Sequence, residues 1–171
     1  MHTIEETVDV GVPLRTAYNQ WTQFTSFPRF MPSVRGVEQV TPTLTRWHVG
    51  LGPLRTEFLA EIVEQRPDSF LTWRSPQRFP RHEGEVSFRA TAADRTEVTV
   101  RLRIDRGQGP GARRAAALTG RVVRRELGHF RDFVEGLGEE VGGWRGTVHH
   151  GHVQPTGREP SGTHVPHWPV G

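Results

Sequence analysis

The feature that most constrains the fold is a long amphipathic helix that follows a series of alternating strands. From Ala112 to about Val141, apolar residues recur at steps of three and four along one face of the predicted helix. Just before it, the segment Glu97–Asp105 alternates, with apolar residues on one side and charged or hydroxyl residues on the other. An apolar helix stripe and an apolar sheet face each need a partner that keeps them from water. We therefore expect an antiparallel sheet packed against this C-terminal helix.

The elements before that helix are predicted to be seven strands and two short helices. A first strand at 4–10 is followed by helices at 13–21 and 26–31, because proline suits the first turn of a helix. Six further strands are predicted at 34–40, 45–50, 54–64, 70–75, 85–91 and 97–105. This order predicts an α+β fold, with about seven antiparallel strands, two short helices after strand 1 and one long C-terminal helix.

The chain is expected to contain one folded domain, residues 1–145, and a tail, residues 146–171. The tail has five Gly, four Pro and five His among its 26 residues and shows no periodicity, so we predict that it is disordered. The absence of cysteine excludes disulfides and thiolate chemistry. No signal-like start or membrane-length apolar stretch is visible, which favours a soluble cytoplasmic protein.

Charge is concentrated on one helix. All 22 basic residues are arginine, and the net charge is only +3. The sequence pI of about 10.7 is high because almost nothing titrates between about pH 8 and 12 in a chain without lysine or cysteine. The high pI therefore does not indicate a large positive charge, and no DNA partner is expected. A solvated helix face is one interpretation of the arginine cluster, and a patch for an anionic membrane surface, a carrier protein or RNA is the other. The cluster consists of Arg113, Arg114, Arg121, Arg124 and Arg125.

Five groups of segments follow a recognisable order. They are Thr7–Pro13 with Ala17–Trp21, Phe24–Val34, Ala60–Asp68 with Leu71–Ser75, Gly84–Phe88 with Thr96–Val100, and Phe130–Glu135 with Gly143–Gly146. Over residues 1 to about 146 they resemble the START and birch-pollen-allergen superfamily, called SRPBCC, and within it the polyketide cyclase/dehydrase and coenzyme-Q-binding START-like branch. The resemblance implies the helix-grip fold, in which a curved sheet wraps around the C-terminal helix. It also implies a cavity for a hydrophobic small molecule.

An aromatic set is expected to line that cavity, as a quinone, lipid or polyketide-like ligand requires. The alternative, in which these side chains simply fill the core, stays open. The residues placed at the mouth are Phe27, Phe30 and Met31, and those on the floor are Trp47, Phe58, Trp73 and Phe88. Trp21, Val123 and Leu127 complete the predicted ligand-binding set.

The sequence leaves open whether the protein is an enzyme. The resemblance implies that members cyclising aromatic polyketides carry an arginine on the long middle strand, where this chain has Glu61. Strand alternation places Glu61 on the solvent side, and the other polar candidates for the cavity are His129, Arg55 and Tyr18. No catalytic residue is assigned. Binding or transport of the ligand is favoured over an aromatase/cyclase or dehydratase, and both over an RNA- or ribosome-associated protein.

Histidines cluster in the tail, at His149, His150 and His152. A defined metal site needs three or four fixed ligands, which a flexible tail does not supply. We therefore predict neither a metal site nor a cofactor. The isolated His48 and His82 are expected to be surface residues.

Overall fold

The computed structural model describes residues 2–51, 53–77, 81–105, 107–137 and 145–155. A first strand is followed by helix α1, a short 3-10 helix, six strands, the long helix α2 and two very short strands. The bounds are β1 His2–Val10, α1 Leu14–Trp21, 3-10 helix Phe24–Arg29, β2 Val34–Thr41, β3 Leu44–Leu51, β4 Leu54–Arg66, β5 Phe70–Arg74, β6 Arg81–Ala92, β7 Arg95–Asp105, α2 Pro110–Leu137, β8 Val148–His149 and β9 His152–Val153. The predicted order of elements up to α2 is confirmed.

The strands form one antiparallel sheet with the order β1-β7-β6-β5-β4-β3-β2, and β8 and β9 extend it along β4. Within the described ranges the sheet therefore has nine strands rather than about seven. The α+β architecture, an open antiparallel sheet with a long helix after the main strands, matches the helix-grip prediction.

One face of the sheet, here called the inner face, packs against α2. Alternation places Ile4 of β1, its partner Leu102 of β7 and Gly84 of β6 on this face. The approach of the helix is close, since a Cβ at Gly120 of α2 would lie 3.6 Å from Cγ2 of Ile4. The opposite, outer face carries the charged residues that alternate with them.

The apolar stripe of α2 is buried only in its second half. Leu127, Phe130 and Val134 are at most 2% exposed, whereas Val123, one turn before them, is half-buried. The second half of the helix therefore fixes α2 in the core, and the first half covers the sheet less completely. Predicted helical positions 138–141 lie outside the described residues. None of the described helices is long and apolar enough to cross a membrane.

A β-bulge in β4 interrupts its alternation. The pairing with β5 shifts between Ile62 and Glu64, so that Ile62 and Gln65 both face inward. Glu64, which unbroken alternation would place on the inner face, lies on the outer face instead. The bulged residue, Val63, accepts a hydrogen bond at its carbonyl from the Gly151 amide at 2.8 Å.

The start of the predicted tail is ordered, which corrects the expected boundary at residue 145. Val148 pairs with Gln65 of β4 and is 1% exposed, and β8 and β9 form a two-residue hairpin. Composition did not reveal this pairing because a two-residue strand has no period of its own. The remainder of the predicted tail, from residue 156, lies outside the described residues.

Candidate functional site

The ten residues predicted to bind a ligand fall into two groups. Four are half-buried, namely Trp47, Phe58, Trp73 and Val123. The other six are at most 7% exposed, and these are Trp21, Phe27, Phe30, Met31, Phe88 and Leu127. The half-buried group lies on the inner face or on the half of α2 that covers it incompletely.

The buried group fills the core. The Phe27 ring lies 5.2 Å from the ring of Trp21 and 5.3 Å from that of Trp47, both in edge-on geometry. Phe30 stacks on Phe133 of α2 with ring centroids 4.6 Å apart. The expectation that Phe27, Phe30 and Met31 form an open mouth is therefore corrected. The 3-10 helix and the residues that follow it place these three side chains in the interior.

The half-buried aromatic residues share the inner face of the sheet. The rings of Trp47 and Phe58 are parallel within 3°, with centroids 6.1 Å apart. Trp73 lies across its partner Gly84, since a Cβ at position 84 would lie 2.6 Å from Cε2 of the indole. A side chain larger than hydrogen at position 84 would therefore displace the indole. We call the surface made by Trp47, Phe58, Trp73 and Gly84 the aromatic shelf.

His82 brings a polar group to this surface. It precedes Gly84 by two residues on β6, and its ring contacts Phe58 edge-on at 5.0 Å. Its Nε2 is buried and has no hydrogen-bond partner among the described residues. Burial lowers the pKa of His82 below its usual value of 6.5, so the imidazole is neutral at pH 7.

The expectation that His82 is a surface residue was wrong. The strand containing it begins at Arg81 rather than at residue 85. Extending the alternation of Val86 and Phe88 backwards by two steps would have placed His82 and Gly84 on the inner face. His48, by contrast, is confirmed at the surface, where Glu38 and Glu57 lie 3.1 and 3.4 Å from its ring nitrogens.

The polar candidates named from the sequence do not reach the aromatic shelf as a group. Glu61 faces outward, as predicted, and pairs with Arg74 at 3.2 Å. Arg55 is exposed and His129 is half-buried on α2. Tyr18 is fully buried, and its hydroxyl accepts a hydrogen bond from Nε2 of Gln65 at 2.8 Å.

Tyr18 belongs to a polar cluster that ties Arg145, in the segment after α2, to the core. Burial raises the pKa of Tyr18 to about 12, because the phenolate would be poorly solvated. The Arg145 guanidinium lies 5.6 Å above the ring and donates to Asn19 and Asp68, each at 2.6 Å. Arg145 thereby connects the segment after α2 to α1 and to the turn between β4 and β5.

The five arginines of α2 are not equivalent. Arg124 makes two hydrogen bonds to Glu6 of β1, at 2.9 and 3.1 Å, and Arg125 pairs with Glu126 at 3.3 Å. The other three have no ion pair within the described ranges, and they are Arg113, Arg114 and Arg121. The predicted patch therefore has three uncompensated charges rather than five.

A concavity of about 380 Å³ lies on the outer face, over β5, β6 and β7. Its lining includes Phe70 together with the charged side chains of Glu85, Arg89 and Glu97. This concavity is on the opposite side of the sheet from the predicted cavity. Its charged lining makes it a poor match to an apolar ligand.

Comparison with known proteins places the chain in a family. Residues 10–132 match the family described as polyketide cyclase / dehydrase and lipid transport. The chain is 40% identical over 151 residues to an uncharacterized 17.2 kDa protein from the melC2-rnhH intergenic region of Streptomyces lincolnensis, a match covering 86% of this chain and 99% of the relative.

Solved structures show the same fold. A Deinococcus radiodurans protein is 29% identical, with a TM-score of 0.61 over 81% of this chain and 100% of that one. A START superfamily protein from Mycobacterium smegmatis has a TM-score of 0.64 at 18% identity, covering 80% of this chain and 97% of that one. The Zhui aromatase/cyclase from Streptomyces sp. R1128 has a TM-score of 0.63 at 16% identity, covering 80% and 92%, so the likeness to these two is one of fold.

The match over residues 10–132 and the 40% identical relative agree with the architecture described above. They support the predicted assignment to the SRPBCC superfamily. The chain belongs to the polyketide cyclase/dehydrase and lipid transport family.

Proposed function

We propose that the protein binds a hydrophobic small molecule, a quinone, lipid or polyketide-like compound, between the aromatic shelf and the first half of α2. The observation that carries this proposal is the incomplete cover of the sheet by α2. Leu127 and Phe130 are at most 2% exposed, whereas Val123 and the residues of the shelf are half-buried. Apolar surface of this kind gains about 25 cal/mol for each Å² that a ligand removes from water.

The form of the shelf favours a ligand with a flat conjugated part. Parallel rings at Trp47 and Phe58 and the indole of Trp73 offer faces against which such a group stacks. Nε2 of His82, which has no hydrogen-bond partner among the described residues, offers one hydrogen bond to a carbonyl or hydroxyl group. A single hydrogen bond fixes the orientation of a ligand that has a polar group. The apolar surface around it still accepts similar molecules that lack that group.

The test is to identify what the protein carries when it is made in a Streptomyces host, the genus of the 40% identical relative. We expect native mass spectrometry to show a bound species that organic solvent extracts. F58A, on the shelf, should lose the species. F70A, a matched control on the outer face, should retain it. A protein that stays empty, or a species lost only with F70A, would contradict the proposal.

An aromatase/cyclase or dehydratase is the second candidate, and the observation that favours it is His82. A neutral imidazole beside an apolar surface can exchange a proton with a ligand carbonyl or hydroxyl group. In that case H82Q should abolish turnover of a polyketide while leaving its binding unchanged. If H82Q instead weakens binding and no turnover is found for the parent protein, His82 only orients the ligand.

We further propose that the exposed side of α2 meets an anionic membrane surface during ligand exchange. Leu118 is 54% exposed and lies one turn from both Arg114 and Arg121. An exposed leucine among uncompensated arginines is typical of a helix that rests on lipid headgroups. A carrier protein or RNA would use the arginines but gain less from Leu118.

Vesicle binding tests this surface. Replacing Arg113, Arg114 and Arg121 together by glutamine should remove most binding to phosphatidylserine vesicles, at about 1 kcal/mol per arginine. The control triple variant R89Q/R101Q/R103Q changes the charge equally on the outer face and should bind normally. Equal loss in both variants would indicate attraction by net charge alone.

A further inference from the structure

A histidine and carboxylate cluster on the outer face is separate from the proposed ligand site. It joins Glu64 of β4 to His149 and His150 of the hairpin formed by β8 and β9. The potential ligand atoms of these three residues all lie within 4.8 Å of one another. We propose that Glu64, His149 and His150 form a binding site for one Zn²⁺ ion.

The hairpin holds the two histidines in place. His150 and Gly151 both have positive φ, 48° and 75°, which is the backbone of a tight two-residue hairpin turn. The hairpin is anchored to β4 by the Gly151 amide, which donates to the Val63 carbonyl at 2.8 Å, and by the buried Val148. The sequence predicts no metal site because a flexible tail would not hold its ligands in fixed positions. The anchoring of the hairpin to β4 provides those fixed positions.

The β4 bulge supplies the carboxylate. Because the strand shifts register between Ile62 and Glu64, the Glu64 side chain points to the outer face. His149 projects to the same face, since its neighbour Val148 pairs with the inward Gln65. Its Oε2 is 2.9 Å from Nδ1 of His149, and its Oε1 is 3.9 Å from Nδ1 of His150. The backbone amide of His150 also donates to Oε1 at 3.3 Å, which orients the carboxylate.

These separations suit zinc. Two ligand atoms of a tetrahedral Zn²⁺ ion, bonded at about 2.0–2.1 Å, are about 3.3 Å apart. The 2.9 and 3.9 Å separations run to different oxygens of Glu64, and one ligand atom from each of the three residues lies within 4.8 Å of the others. Rotations of the exposed side chains would have to bring these three atoms closer to the tetrahedral spacing. Two imidazoles and one carboxylate are ligands that zinc accepts. The side chains are exposed enough for an ion to enter, at 55% for His149 and 76% for His150.

A fourth position is available to water or to His152. His152 pairs directly with His149 across the hairpin, so both project from the same side of it. A bound ion would join strand β4 to the hairpin on the outer face. Bound Zn²⁺ would therefore stabilise the attachment of β8 and β9 to β4.

The proposal is tested with Zn²⁺ and the full-length protein without a histidine tag. Isothermal titration should show one Zn²⁺ per chain. E64Q, H149A and H150A should each weaken binding at least about tenfold, because E64Q replaces a carboxylate by a neutral amide and each alanine removes an imidazole ligand. Amide exchange at Gly151 and Gln154 should slow when Zn²⁺ is added to the parent protein. Circular dichroism should show that each variant remains folded, since all three side chains lie at the surface.

Two controls separate this site from adventitious binding by other histidines. H48A removes an exposed histidine that also lies between two carboxylates, and H164A/H167A removes the two tail histidines outside the described residues. Both should bind Zn²⁺ like the parent protein. The proposal is overturned if no Zn²⁺ binds, if binding survives in E64Q and H149A, or if H164A/H167A abolishes it.

Discussion

Gly84→Ala gives the sharpest test of the aromatic shelf. The new methyl group would lie 2.6 Å from Cε2 and 2.7 Å from Cη2 of Trp73, closer than non-bonded carbon atoms approach. Backbone pairing on both sides fixes β6, so the indole must move. Overpacking of this kind costs about 1–3 kcal/mol. For a chain of this size we expect the melting temperature to fall by about 2–4 °C for each kcal/mol.

The same substitution should have the opposite sign when Trp73 is absent. In a W73A background the methyl group meets no indole, and Gly→Ala on ordinary strand backbone stabilises by about 0.4–1 kcal/mol through the unfolded chain. The effects of G84A on the free energy of unfolding with and without Trp73 therefore differ by about 1.4–4 kcal/mol. This difference is the coupling energy between positions 73 and 84. Urea unfolding followed by circular dichroism at 25 °C measures all four proteins of this cycle.

A matched control is available on β2. A Cβ at Gly36 would lie 3.8 Å from Cδ2 of His48, an ordinary contact, so G36A should be neutral or slightly stabilising. If G84A costs the same free energy with and without Trp73, the indole does not lie across Gly84 and the shelf is wrongly described. If G84A also leaves ligand binding intact while Trp73 is displaced, the ligand does not use Trp73.

Three further predictions concern the core and the polar cluster. Because the chain has one tyrosine and burial raises the pKa of Tyr18 from 10.0 to about 12, absorbance titration should show no phenolate near pH 10 in the folded protein. The stability contributed by this group is fully present below pH 10 and lost as the pH rises to about 12, so an ordinary titration near pH 10 in folded protein would contradict its burial. F130A removes a fully buried ring that packs on Trp21 at 5.1 Å and should cost about 3–5 kcal/mol in urea unfolding; a loss below about 1 kcal/mol would mean that α2 is not fixed in the core there. R145Q should speed amide exchange across residues 148–153 with little effect on exchange in β7, because Arg145 holds this segment to Asn19 and Asp68; unchanged exchange would show that the hairpin is held by β4 alone.

Much of the fold could be predicted because its elements have strong local periods. Seven strands, two short helices and α2 were placed close to their observed positions. The alternation from Val98 to Ile104 and the helical stripe from Val123 to Val134 needed no knowledge of distant residues. The order of these elements was also sufficient to suggest the helix-grip architecture.

The site was predicted less well, for reasons that are physical. Phe27 and Trp47 are both aromatic, but Phe27 lies in the core, on the 3-10 helix, whereas Trp47 is half-buried on β3. Aromatic residues suit a core and a ligand surface equally, so composition cannot separate the two roles. Arg124 and Arg113 are likewise identical in sequence terms, and only the approach of Glu6 from β1 neutralises one of them.

The sequence by itself determined which residues alternate, which helix is amphipathic and where the arginines gather, because these are relations between near neighbours. Tertiary structure alone decided the outward turn of Glu64, the contact of His82 with Phe58 and the docking of residues 149–152 on β4. Each depends on which strands pair and in which register, and a single bulge reverses the face on which the following side chains lie. Register is set by contacts between residues far apart in the chain, and local periodicity carries no record of them.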